Sequence, residues 1–164
     1  MGRMVAGLKP RGFTWVIADQ LAVSERVGGS GFQHRRVRRE EEITWLVEEA
    51  AINTVVSMLP GNQNLQAYRE AGIATYSVPI GQTFEAEEVE AFFATLARAT
   101  ERTRAKVLVH RETIDDTVGG LLGGYLVMSG LVEDPILALA VIQQILGRAL
   151  GPEGRSLIPA TVAK

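Results

Sequence analysis

At 164 residues the chain is long enough to bury one substantial core without staples, and its 46% apolar and 22% charged residues mark a globular rather than a disordered polymer. A net charge of −2 leaves no global electrostatic reason to bind nucleic acid, and the absence of cysteine excludes disulfides, cysteine-ligated zinc and a thiolate nucleophile. The opening MGRMVAGLKPRGF lacks the apolar core of a signal peptide; the longest uncharged stretch, residues 117–132, is short for a membrane span and carries five glycines. These features predict a soluble, cytoplasmic protein, and the excess of arginine over lysine fits a GC-rich bacterial source.

Residues 13–17 (FTWVI) read as a first strand and 20–23 as a short second one, followed by a flexible loop at 28–31 (GGSG). A helix is expected from about Arg38, with Glu40, Glu41 and Glu42 at its positive N-terminal end and Ile43, Leu46 and Val47 as its apolar stripe. Residues 53–59 (NTVVSML) predict a buried parallel strand closed by Pro60-Gly61. A short helix over 65–71 ends at Gly72, and a strand at 74–78 reaches Pro79. Residues 85–102 predict an amphipathic helix with Val89, Phe92, Phe93 and Leu96 on one face. The run KVLVH, 106–110, predicts a central strand. A helix over 118–129 ends at Gly130, and Asp134-Pro135 caps and starts another that runs to about Leu146. Residues 147–152 read as a turn, and Trp15 and Trp45 as core. The alternation predicts an α/β fold of three layers, a mostly parallel central sheet flanked by helices. One domain is expected over 1–164, with tails at 1–11 and 159–164.

Three segments carry a resemblance: FTWVIADQLAVSERVGG (13–29), the strand-turn-strand run 52–80 with its AGIATYSVPI, and the stretch 107–147 that begins VLVHRETIDDTVGG. Together they resemble the dual-specificity group of the protein tyrosine phosphatase superfamily, which implies a cysteine-phosphatase fold and a phosphate loop of the form His-Cys-x5-Arg-Ser/Thr-Gly. The matching stretch runs His110-Arg111-Glu112-Thr113-Ile114-Asp115-Asp116-Thr117-Val118-Gly119. His110 and Gly119 match, and the resemblance implies that His110 supports the loop through hydrogen bonds. Arg111 stands at the nucleophile position, Thr117 at the phosphate-gripping arginine, and Ile114 at the usual loop glycine. The resemblance also implies a general-acid aspartate after the 74–78 strand. Residues 79–83 contain no carboxylate, and Glu85 suits the first turn of the next helix.

A guanidinium stays protonated and has no lone pair with which to attack phosphorus. Threonine cannot replace a bidentate cationic clamp, and Asp115 and Asp116 would set negative charge where a phosphate dianion should sit. The expected protein is therefore a pseudophosphatase, without catalytic residues, metal or cofactor, that acts by binding or regulating a protein partner. The remodelled loop and the basic run His34-Arg35-Arg36-Val37-Arg38-Arg39 are the candidate contacts, with Arg35, Arg36, Arg38, Arg39 and Arg111 as binding residues. No nucleic-acid partner is expected, and the apolar content is compatible with a homo-oligomer. Two alternatives stand beside this reading: a non-cysteine hydrolase using Asp115, Asp116 or Glu85 as acid/base, and a phospho-ligand-binding module without turnover. For the acidic pair, helix capping by Asp116 or Thr117 is preferred over aspartyl-phosphate chemistry or a magnesium site. The glycines 119, 120, 123 and 124 predict close helix packing.

Overall fold

Three short apolar runs become the middle of a sheet. In the computed structural model, which describes residues 7–61 and 64–159, β2 (Leu21–Ser24), β3 (Thr54–Ser57) and β5 (Val107–His110) are buried at every position. That pattern belongs to parallel strands covered on both faces. The edges are β1 (Thr14–Ile17) and β4 (Ala74–Ser77). The order is β1-β2-β5-β3-β4, antiparallel at β1–β2 and parallel elsewhere, which agrees with the expected mostly parallel sheet.

The chain divides into two compact units between Thr113 and Ile114. In the first, α1 (Arg36–Glu48) and α2 (Leu65–Glu70) cover one face of the sheet: their Ile43, Leu46, Leu65 and Tyr68 share a core cluster with Ala22, Val55 and Leu108. Successive strand residues face opposite ways, so Thr54 points to the other face. There its hydroxyl accepts a 2.6 Å hydrogen bond from Arg102, just beyond α3 (Ala86–Thr100), which buries Phe92, Leu96 and Ala99. The layers are thus helix, sheet, helix. Ser24, His110 and Ser57 lie side by side in register, so the loops after β2, β5 and β3 leave from the same carboxyl end of the strands.

The second unit holds α4 (Asp116–Met128), α5 (Pro135–Leu146) and the short α6 (Pro152–Ser156). The small residues of α4 permit the expected close packing. A methyl on Gly120 would overlap the Gly154 carbonyl oxygen, and one on Gly123 would lie 2.8 Å from Ile158. Helix α6 was not expected from the sequence, although Pro152 at its first position is a starting signal.

Three further expectations are corrected. Helix α1 begins at Arg36, so its first turn holds no acidic residue and the glutamate triplet lies in its second turn, away from the positive end. Trp15 and Trp45 are partly buried at the rim of the cluster, edge-on to Phe13 at centroid distances of 5.3 and 4.9 Å. Of the expected tails, residues 1–6 and 160–164 lie outside the described residues. By contrast, Leu8 donates to Glu41 of α1 and Arg11 accepts from Glu25, which ties this part of the chain to the first unit.

Candidate functional site

His110 ends β5 fully buried, and its Nε2 shares a 3.1 Å hydrogen bond with the equally buried Tyr68 hydroxyl of α2. Its Nδ1 is buried without a hydrogen-bond partner. Burial disfavours the imidazolium, and the Arg26 guanidinium adds repulsion, which together lower the His110 pKa to about 4. Burial likewise holds the Tyr68 phenol above its ordinary range. The pair is therefore neutral across the physiological range. It fastens α2 to the strand that leads into the loop.

Arg111 follows immediately and is only 8% exposed. Its Nε donates to the Ile80 carbonyl at 3.2 Å, and its Nη2 donates to the Gly81 carbonyl. The residue that the resemblance sets at the nucleophile position thus reaches sideways and grips the backbone at Ile80 and Gly81. Glu85, the nearest carboxylate downstream, caps α3: its side chain accepts from the backbone of Glu88, whose own side chain accepts from Glu85 N–H at 2.8 Å.

Glu112 turns toward the loop after β2. Its Oε1 accepts from Arg26 Nη1 at 3.3 Å and from Gly31 N–H at 2.8 Å, and its carbonyl accepts from Arg26 N–H at 3.2 Å. Beside it lies a cavity of about 180 Å³, lined among others by Arg26, Ser57, Asn64, Tyr68 and Glu112. It sits at the carboxyl ends of neighbouring strands, where open α/β sheets place ligands. Its charges largely answer each other: Arg26 pairs with Glu112, and Asn64 donates to the Val27 carbonyl at 2.7 Å and bonds His34 at 3.2 Å.

In the second unit the acidic pair caps helices. Asp115, rather than Asp116 or Thr117, is the N-cap of α4, its carboxylate accepting from Val118 N–H at 3.0 Å. Asp116 is the first residue of α4 and accepts from Gly151 and Gly154 N–H, both at 2.6 Å, which satisfies the exposed donors at the start of α6. Arg148 stands 3.9 Å from Asp116 and donates to the Ile114 carbonyl at 3.2 Å. Thr117 is half-buried in the first turn, and Gly119 is buried beneath Leu150. Among the described residues no group of three potential metal ligands forms.

The side chains of the basic run take separate partners. Arg35 occupies the N-cap position of α1, and its side chain donates to the carbonyls of Phe32 and His34 at 2.8 and 2.9 Å. Arg36 pairs with Glu40 at 3.1 Å on the surface. Arg38 pairs at 2.6 Å with Glu42, which is 1% exposed and also accepts from Gly28 N–H at 2.9 Å. Arg39 is half-buried in the same turn. Sequence reasoning missed Tyr68, Asn64, Glu112 and Glu42. The i,i+4 spacing of Arg38 and Glu42 signals that pair, whereas the others meet their partners only through the fold.

No protein-family model matches the chain, and no curated protein matches it. Solved structures do. The core catalytic domain of the PP-IP phosphatase Siw14 from S. cerevisiae, in complex with citrate, aligns with a TM-score of 0.65 at 15% identity over 93% of this chain and 86% of that one. Tk-PTP in its active form gives 0.69 at 14% identity over 90% and 92%. The kinase-associated phosphatase with a serine in place of its catalytic-site cysteine gives 0.67 at 16% identity over 92% and 93%. Such likeness establishes the architecture: this chain has the fold of the dual-specificity and tyrosine phosphatases.

Proposed function

We propose that this chain is a pseudophosphatase, a phosphatase-fold protein that does not turn over phosphate and instead binds and regulates another protein. The observation that carries the reading is Arg111, buried at the nucleophile position with its guanidinium bonded to the Ile80 and Gly81 carbonyls in a chain without cysteine. Phosphatase chemistry of this kind needs a thiolate in line with phosphorus and a cationic clamp on the equatorial oxygens. Arg111 supplies no nucleophile, Thr117 supplies no clamp, and residues 79–83 supply no acid.

The hydrolase alternative is weakened by the same geometry, because Asp115, Asp116 and Glu85 all serve as helix caps. A binding role draws support from the segment around the Gly31–Gln33 turn. Phe32 is fully exposed and Val37 is 72% exposed, beside Arg35 and Arg36. An apolar side chain framed by guanidinium groups suits an acidic peptide with an apolar anchor.

Hydrolysis of an aryl phosphate, with and without magnesium, tests the reading. Neither the wild type nor Arg111→Cys is expected to exceed background, because the thiol alone restores neither clamp nor acid. Wild-type turnover that disappears in a folded Asp116→Asn variant would overturn it. Affinity capture from lysate should retain a protein partner that is lost on Phe32→Ala together with Arg35→Ala.

A further inference from the structure

Among the described residues that line the cavity beside Glu112, the charged ones are Arg26 and Glu112, so the wall carries both signs and no net charge. The two meet through a single contact of 3.3 Å, longer than the roughly 2.7–2.9 Å of a well-formed charge-assisted hydrogen bond. Glu112 uses Oε1 both for this contact and for Gly31 N–H, and its Oε2 accepts from no described residue. Ser57, 3% exposed at the end of β3, accepts from Leu59 N–H at 3.3 Å. Its hydroxyl proton is donated to no described residue. Asn64 and Tyr68, by contrast, are committed to Val27, His34 and His110. Buried polar groups are as a rule hydrogen-bonded, and capacity that the protein leaves open on a cavity wall is capacity for what fills the cavity.

We propose that this cavity binds a small apolar α-amino acid in its zwitterionic form. The ligand carboxylate accepts from Arg26 and the Ser57 hydroxyl, and its ammonium donates to Glu112 Oε2. Its side chain lies against Leu59, Pro60 and Leu65, the apolar part of the lining. Charge decides among ligand classes. A phosphate or a simple carboxylate gains Arg26 but meets Glu112, and an amine meets the reverse. A neutral polyol answers neither charge with a charge. A zwitterion answers both and leaves neither wall group unpaired. Size decides the rest. A cavity of about 180 Å³ lies well under the roughly 300 Å³ at which pockets for drug-sized ligands begin, which suits a free amino acid and excludes a nucleotide.

Isothermal titration calorimetry of the full chain with L-valine should show saturable binding. L-valinamide, which lacks the carboxylate, and N-acetyl-L-valine, which lacks the ammonium, should show none, and neither should inorganic phosphate or glycerol. Glu112→Gln keeps an acceptor for Gly31 N–H but loses the charge, and its Kd for valine should rise by about tenfold or more. Valine should also move the Gly31 amide resonance, because Glu112 holds that N–H. If Glu112→Gln fails to fold by circular dichroism, the analogue series and the Gly31 shift decide alone. Absence of valine binding at millimolar concentration, equal binding of valinamide or N-acetylvaline, or undiminished affinity in a folded Glu112→Gln would each overturn the proposal. So would phosphate that displaces valine, which would make the cavity an anion site.

Discussion

The two stretches on either side of Thr113 solve the same problem with opposite chemistry. Before it, a cation grips backbone acceptors: Arg111 holds the Ile80 and Gly81 carbonyls. After it, anions grip backbone donors: Asp115 takes Val118 N–H, and Asp116 takes those of Gly151 and Gly154. A loop that binds phosphate must leave its backbone donors and its cation open toward a ligand. Here charged side chains are turned onto the protein's own backbone instead. The lesson is that these stretches have become fasteners, each for its own unit.

That comparison can be broken by removing one fastener at a time. Arg111→Ala deletes two charge-assisted hydrogen bonds and should lower stability by about 4 kcal/mol, read as a fall in the urea midpoint with an unchanged slope. A loss below about 1 kcal/mol would show that the guanidinium does not hold the 79–83 segment.

Next in size is the pH response of the strand that carries it. With a folded-state pKa of about 4 against an ordinary 6.5, His110 stays neutral in the native chain while the unfolded chain takes up a proton. Stability is therefore full above pH 6.5, falls as the pH drops, and levels off below about 4. The total loss is ~3 kcal/mol at 1.36 kcal/mol per pKa unit. His110→Gln should flatten this part of the stability profile, whatever it costs at neutral pH.

In the second unit the effects should be smaller and local. Asp116→Ala removes the acceptor for two N–H groups and should cost about 2 kcal/mol, with faster amide exchange at Gly151 and Gly154 as its signature. Asp115→Ala removes an ordinary N-cap and should cost about 1 kcal/mol, with exchange quickening at Val118. If Asp116→Ala instead proved neutral, the acidic pair would regain its place as a candidate functional group.

Much of the fold was legible because it rests on local pattern. The runs LAVS, TVVS and VLVH, the capping residue Asp134 and the apolar face of α3 are recognisable within a dozen neighbouring residues, whereas Glu85, expected in the first turn of α3, is its N-cap. The Asp116 role was not, since the donors it satisfies lie 35 and 38 residues further on. Nor was the partner of His110, which is 42 residues away on α2. The basic run stood out in the sequence as a candidate contact, but the core role of one carboxylate beside it did not. Glu42 is drawn into the core beneath Gly28, where a buried carboxylate requires a partner, and Arg38 is one turn away.

By itself, the sequence determined which chemistry this chain lacks. No thiolate exists anywhere in it, position 117 carries no guanidinium, and residues 79–83 carry no acid. These are statements about atoms that are absent, and no conformation can supply them. Only the tertiary structure decided what Arg111 and Asp116 do. Whether Arg111 faces a ligand or a carbonyl, and whether Asp116 holds a metal or a helix end, depends on which backbone groups folding brings within hydrogen-bond reach. Those groups are distant in the chain, and a charge without water must find them wherever they are.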